Sequence, residues 1–278
     1  MSHNMRDFVI DLQSHSTVSD GELPPAEVVA AAAAAGIETM ALTDHDAVDG
    51  LPEAIEAAGR HGIEIVPAAE ISCIHASIDD LHMLGYWIDI DALRPMCERA
   101  QGERVTRAEE IVAKLNSLGV EVDFEEARRQ AGDASSVGRP HIAKAAGTKP
   151  EDMGTFFEEY LIPGAKAFVS RRWPTAAEAI ELIRGAGGTP VLAHPFWDID
   201  QPAEVAALID DLDIDGVEVF YPAHDRAQTE FLVGLCRDRG LAATASSDFH
   251  GPNHKMFSTF GSYETFDLGA PELPPKPA

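Results

Sequence analysis

Leu241-Ala242-Ala243-Thr244-Ala245-Ser246-Ser247-Asp248-Phe249-His250 reads as a short apolar strand that delivers a carboxylate and an imidazole at its C-terminal end. A partner lies far upstream, where Thr39-Met40-Ala41-Leu42 runs into Thr43-Asp44-His45-Asp46. Active sites of α/β sheets and barrels are built at strand ends, because the loops there converge on one mouth. The placement recurs along the chain. His15 and Asp20 follow a strand over 8–12, Glu70 follows one over 63–66, His82 opens one over 82–87, and His194 ends one over 189–193. A lone Asp-x-His is usually a surface loop or a cap. Six such elements at six strand ends predict a hydrolase that holds more than one metal ion.

Around these ends the chain alternates strand and helix. Pro24-Pro25 opens an alanine-rich helix that closes at Gly36, and residues 51–61 form a helix ending at Gly62. Thr175 and Glu178 form a capping box for a helix over 175–186. A strand over 216–220 brings the expected number to seven. The rhythm lapses near Pro95, after which residues 98–160 read as helices without a strand. Val105, Ala108, Ile111, Val112, Leu115 and Leu118 recur there at helical spacing, and 124–130, 140–146 and 152–160 are shorter helices. Residues 271–278 read as a loose tail.

Composition narrows the function classes. With 278 residues and 45% hydrophobic side chains, the chain can bury a real core. Cys73, Cys97 and Cys236 are scattered and form neither a disulfide framework nor a CxxC knuckle. The longest apolar run, 28–35, is too short to span a bilayer, and the N-terminus lacks a signal-peptide pattern. A cytoplasmic protein without a membrane partner is expected. The net charge of -26 argues against a broad surface for nucleic acid, but not against a small phosphorylated ligand in a locally basic site. The candidate ligands, imidazole with carboxylate, suit Zn, Mn or Fe. Two such ions clamp a phosphoryl group and acidify a shared water, which explains why ligands would converge from several strands.

Asp11-Leu12-Gln13-Ser14-His15-Ser16-Thr17-Val18-Ser19-Asp20-Gly21 and Ala41-Leu42-Thr43-Asp44-His45-Asp46 resemble the first two motifs of the polymerase and histidinol phosphatase (PHP) superfamily. Pro67-Ala68-Ala69-Glu70-Ile71-Ser72, His82-Met83-Leu84-Gly85, Ala193-His194-Pro195 and Ser247-Asp248-Phe249-His250 resemble the later ones, in order. Gly138-Arg139-Pro140-His141 and Tyr160-Leu161-Ile162-Pro163-Gly164 resemble the nucleotide-hydrolysing branch. Members of that branch remove the 3′-phosphate of 3′,5′-bisphosphonucleotides, and some degrade short RNA from the 5′ end. The resemblance implies an α/β fold, a distorted (β/α)7 barrel, made by residues 1–95 and 165–278 with a helical substrate-capping insertion over 96–164.

It also implies a metal-dependent phosphoric monoester hydrolase with two or three divalent ions. His15, Glu70 and Asp248 would hold the first ion, Glu70, His82 and His194 the second, and Asp20, His45 and His250 the third. A water between the first two would be the nucleophile, which makes Glu70 and Asp248 catalytic groups with His224 as proton donor or phosphate ligand. The family's His-x-His departs here to Gln13, a poorer ligand that would weaken the first site. Arg139, His141, Lys166, Ser170 and Arg171 are the expected substrate contacts, with Arg139 and 167–170 closing over a nucleotide. Two alternatives stay open: a phosphatase for another small phosphomonoester such as histidinol phosphate, and a metal-depleted binding module. Trp87, Trp173 and Trp197 read as core or rim packing, although Phe196 or Trp197, just after His194, is placed to line a base pocket. His3, His61, His75 and His254 have no expected role and read as exposed.

Overall fold

The computed structural model describes residues 10–132, 137–197 and 199–277; His3 and the first two residues of the strand expected over 8–12 lie outside them. In chain order the elements are β1 (Ile10–Asp11), α1 (Pro25–Ala35), β2 (Thr39–Leu42), α2 (Leu51–His61), β3 (Glu64–His75) and β4 (Ile78–Tyr86). The helical stretch follows, with α3 (Ile90–Ser117), α4 (Phe124–Ala131), α5 (Arg139–Ala145) and α6 (Met153–Phe156), the last continuing into a π turn over Phe157–Leu161. The alternation resumes with α7 (Ala176–Gly185), β5 (Thr189–Leu192), α8 (Pro202–Asp211), β6 (Gly216–Phe220), α9 (Arg226–Arg239) and β7 (Ala242–Ala245). The seven strands lie side by side in chain order. The sheet curls until its edges meet: the Leu12 N–H donates to the Ala245 carbonyl at 3.0 Å, and Ser14 bridges Phe249. The result is the expected distorted (β/α)7 barrel with a helical insertion.

The distortion has a local cause. β3 was expected to stop at Val66 but runs on to His75. Residues up to Pro67 pair with β2, and from Ala68 the strand pairs with β4 instead. Proline, which has no N–H for a ladder, thus sits where the strand changes partners. β4 is antiparallel to both β3 and β5, unlike every other strand. Its direction explains a second difference. His82 does not start its strand but sits within it, opposite Ser72, because an antiparallel strand meets the common mouth with its earlier residues.

Leu12, Ala41, Val66, Leu84, Tyr86 and Val191 fill the barrel, and the Tyr86 hydroxyl donates to the Leu12 carbonyl at 2.8 Å. Fully burying Leu84 contributes about 1.5–3 kcal/mol. A larger apolar layer joins the outer barrel face to α1, α2, α7, α8 and α9. The insertion has its own core, including Ile111, Leu115, Ile142, Leu161 and Val169. α3 belongs to both, since Leu93, Met96 and Cys97 pack on the barrel layer. It begins at Ile90, earlier than expected, because the Asp89 side chain caps it by accepting from the Ala92 N–H at 3.0 Å. Pro95 does not stop it: Asp91 and Pro95 are exposed, so water satisfies the carbonyl that loses its helical partner. Of the six apolar positions expected on this face, Ala108, Ile111, Val112 and Leu115 are buried, Val105 is half-buried, and Leu118, the C-cap, is 48% exposed.

The tail is not loose. Trp87 donates its indole N–H to the Pro274 carbonyl at 3.0 Å, Thr189 its hydroxyl to the Pro275 carbonyl at 2.6 Å, and the Glu272 N–H pairs with the Ala243 carbonyl at 2.8 Å. These partners sit at the end of β4 and the starts of β5 and β7, so the tail crosses the barrel mouth away from the histidines. The three cysteines are buried and unpaired. Among the described residues no helix is long and apolar enough to cross a membrane.

Candidate metal centre

The loops leaving β1, β2, β5 and β7 meet β3 and β4 around one buried carboxylate. Glu70 is fully buried, with Oε1 2.7 Å from His82 Nδ1 and 3.3 Å from His194 Nε2, and Oε2 3.1 Å from His15 Nε2 and 3.5 Å from His45 Nδ1. His15 Nε2 also lies 3.1 Å from Asp248 Oδ1. A third grouping joins Asp20 to His45 and His250, each at 3.6 Å. The geometry brings together the first and third expected ligand sets, with His15 also within reach of the third, 3.7 Å from Asp20. In the second, His45 groups with Glu70 and His82, and the expected His194 stands beside them with Nε2 3.4 Å from His82 Nδ1.

The donor set fits divalent ions on two counts. Both ring nitrogens of His15, Nδ1 of His45 and Oδ1 of Asp248 are buried without a hydrogen-bond partner, although each faces a neighbour of this cluster. Buried polar atoms left in this way are expensive unless another group completes them. The electrostatics agree. Burial pulls the His15 imidazole down, but Asp248 and Glu70 outweigh it and hold the ring well above its ordinary value. His194 is driven up to about 9, against burial, by Glu70 and Glu218. Burial lowers His45 to about 4 despite Glu70 and Asp20. The site is short of positive charge, and divalent cations would supply it.

Gln13 touches the shared carboxylate directly. Its amide N–H donates to Glu70 Oε2 at 2.9 Å, while its Oε1 is buried and unpartnered. The Thr43-Asp44-His45-Asp46 motif divides its labour. Asp44 accepts from the Ser16 backbone and hydroxyl and from the Ser19 hydroxyl, all at 2.8 Å, and so shapes the loop carrying His15 and Asp20. Asp46 turns away to Arg104 at 2.6 Å and the Ser72 N–H at 2.9 Å. Only His45 faces the centre. Asp46, His194 and Asp248 adopt positive φ of 49°, 21° and 53°, as do Ala76, Trp87, Phe266 and Asp267 away from this centre.

Residues that sequence reasoning missed support this shell. The Tyr221 hydroxyl donates to Asp248 Oδ2 at 2.8 Å. Glu218, held by the Ser246 hydroxyl at 2.6 Å, accepts the His194 backbone N–H at 2.9 Å. Both lie on or just after β6, the one strand to which no metal ligand was assigned. Such partners orient ligands and tune them.

A cavity of about 430 Å³ opens from His45, His82 and His250 toward the insertion. Arg104, Arg107, Arg139, Arg171, His141 and Lys144 line it. Asp80 holds Arg139 at 2.5 Å and Arg171 at 3.2 Å. Arg107 donates to the Val169 carbonyl at 2.7 Å and leaves Nη2 buried and unpartnered. Burial and its arginine neighbours lower its pKa to about 10. Arg104 and Arg107 went unnoticed in the sequence, although they lie one helical turn apart.

Other expected contacts fall elsewhere. Lys166 is exposed and pairs with Glu159 at 2.6 Å, and Ser170 sits outside the cavity, 3.5 Å from Asp79. Ala167 and Val169 are buried in the insertion's core, so 167–170 supports the arginines rather than closing over the cavity. Arg171 is buried, whereas Arg172 is exposed on Glu110. His224 donates from Nδ1 to the Val219 carbonyl at 2.9 Å, and burial lowers it to about 4. A neutral ring with its proton on Nδ1 does not suit the expected proton donor, and its buried Nε2 has no partner. His61 is exposed as expected, but His254 stands beside His250 and lines the cavity, and His75 pairs with Asp211 at 3.1 Å. Trp173 is buried and Trp87 anchors the tail, while Trp197 is 50% exposed.

Strand-end imidazoles and carboxylates around a buried glutamate, beside an arginine-lined cavity, define a metal-dependent phosphoesterase. Comparison with known proteins gives the family. The PHP domain model matches residues 11–137. The 3′,5′-nucleoside bisphosphate phosphatase of Chromobacterium violaceum is 34% identical over 255 residues, 87% of this chain and 87% of its own. A 5′-3′ exoribonuclease of Haemophilus influenzae is 34% identical over 87% of this chain and 90% of its own. A solved structure of a Chromobacterium violaceum amidohydrolase, with bound sulfate and no metal, superposes with a TM-score of 0.83 at 33% identity, over 95% of this chain and 94% of that one. The chain belongs to the PHP-domain phosphoesterases and is a hydrolase.

Proposed function

We propose that this phosphoesterase removes the 3′-phosphate of 3′,5′-bisphosphonucleotides. The observation that carries the reading is the arginine-lined cavity beside His82, a positive pocket in a chain of net charge -26. A substrate with two phosphates answers it: one faces the histidine cluster, and the other takes Arg107, Arg139 and Arg171. Arginine's planar fork suits bidentate phosphate binding. The salt bridges of Arg139 and Arg171 to Asp80 hold two of these forks in advance. His141, half-buried on the same cavity wall, adds a neutral donor or acceptor. The relatives' names support a nucleotide, and the sulfate bound by the Chromobacterium protein is a phosphate-shaped anion.

His15, Glu70 and Asp248, then Glu70, His82 and His194, then Asp20, His45 and His250 would hold two or three ions of Mn, Zn or Fe, with Glu70 shared and His45 within reach of the second set. Bound there, the ions would neutralise charge developing on phosphorus and acidify an attacking water. The chain's own groups do the rest. Tyr221 fixes Asp248, the Gln13 amide fixes Glu70, and the arginines orient the ester for in-line displacement. Water protonates the ribose oxygen, since the His224 proton is held by Val219. In this reading residues 96–164 cap a barrel made by 1–95 and 165–278. Three unpaired cysteines fit a cytoplasmic setting.

The test is phosphate release from 3′,5′-bisphosphoadenosine by Mn-loaded protein, with Asp248→Ala as control. Adenosine 5′-monophosphate from the wild type alone is expected. Ion binding without release would move the substrate to another phosphomonoester.

A further inference from the structure

A second cavity, of about 960 Å³, borders the first and shares Asp80, His82, Arg139 and Phe157 with it. Its character is opposite. Trp197, Ile162 and Pro163 line it, and Trp197 is the largest exposed apolar side chain among the described residues. The indole is anchored from behind. It meets the edges of Tyr221 and His194 at centroid distances of 6.3 and 6.1 Å, so its position follows that of the metal centre. The charged lining is acidic, with Asp79, Glu204 and Asp211, and Arg139 is its one arginine or lysine among the described residues. Such a surface repels phosphate and accepts a flat uncharged ring.

We infer that this cavity receives the nucleoside on the far side of the scissile phosphate, its base stacked on Trp197. The inference rests on the nucleotide reading above. In a 3′,5′-bisphosphonucleotide the 3′-phosphate ends the molecule. In a 5′-phosphorylated dinucleotide the same phosphate also carries O5′ of a second nucleoside, and the arginine cavity is already taken. Water adds to phosphorus and the P–O3′ bond breaks. O3′ leaves with a proton as the first nucleotide's hydroxyl, and the second nucleotide keeps the phosphate on its O5′. A third nucleotide would bring its phosphate against Asp79, Glu204 and Asp211, so the cleft favours the shortest RNA.

The experiment compares kcat/KM on 5′-phosphorylated diadenosine with kcat/KM on 3′,5′-bisphosphoadenosine, for wild type, Trp197→Ala and Trp197→Phe. Losing one base-stacking platform lowers the dinucleotide-to-bisphosphate ratio about ten-fold or more in Trp197→Ala, mainly through KM, and phenylalanine restores most of it. Equal losses on both substrates, or no loss, overturn the inference. So does a wild type that hydrolyses the bisphosphate and leaves the dinucleotide intact. A wild type inactive on both removes the nucleotide reading, and this subsite with it.

Discussion

The two walls of the cleft are built differently. The barrel wall presents short, buried side chains at strand ends, and Glu70 alone stands within 3.5 Å of four imidazoles. The insertion wall presents long arginines from α3, α5 and the segment before α7, held across the gap by Asp46 and Asp80. A strand end cannot shift without moving its neighbours in the ladder, whereas an arginine on a helix tolerates a change of rotamer. On the proposed reading the comparison teaches a division: the reaction would belong to the rigid wall, and the choice of substrate to the adjustable one.

The sharpest way to break that division is Glu70→Ala, which should abolish both turnover and metal content, read by phosphate release and elemental analysis. Retained metal with lost turnover would detach the carboxylate from ion binding. Arg139→Ala should raise KM roughly ten- to hundred-fold, the worth of a charged hydrogen bond, with little change in kcat. An equal fall in kcat would show that the insertion wall takes part in the chemistry. Tyr221→Phe leaves the ring and removes only the hydrogen bond to Asp248. About ten-fold weaker metal affinity by calorimetry is expected for such a supporting partner.

The smallest effect concerns protons. His194, raised to about 9 without ions, is protonated at neutral pH. A raised folded value means that its stabilising contribution is complete below about 6.5, the ordinary histidine value, and fades as pH rises through about 9. Thermal unfolding of ion-free protein should therefore show falling stability across that window. Loading with ions at pH 7 should release protons, measured by calorimetry in buffers of different ionisation enthalpy.

The barrel wall was legible in the sequence because its imidazoles and carboxylates sit where apolar runs stop, and a strand end is a local event. His15, His45, Glu70, His194 and Asp248 each follow such a run. The antiparallel hairpin of β3 and β4 was not legible, because Pro67 looks like a stop until the change of partner is known. The insertion wall was harder still. Arg104 and Arg107 look like any exposed pair on a charged helix, and only the buried Asp46 across the gap distinguishes Arg104. Lys166, next to acidic and aromatic neighbours, was assigned to substrate but belongs to the surface.

Closing the barrel also sets a timetable. The Ser247 N–H meets the Asp11 carboxylate across 236 positions of chain, and the Tyr263 hydroxyl meets the Ile10 carbonyl across 253. Such long loops are closed late, because their entropy is lost before any contact returns it. The first motif therefore waits for the last one, and the floor for residues 272–275, the last to be made of those that bond there. During synthesis β1 to β4 emerge with an unpaired edge and must stay soluble until β7 arrives. The surplus of negative charge, -26 in all, gives the unfinished chain its own protection, through self-repulsion before the ring exists.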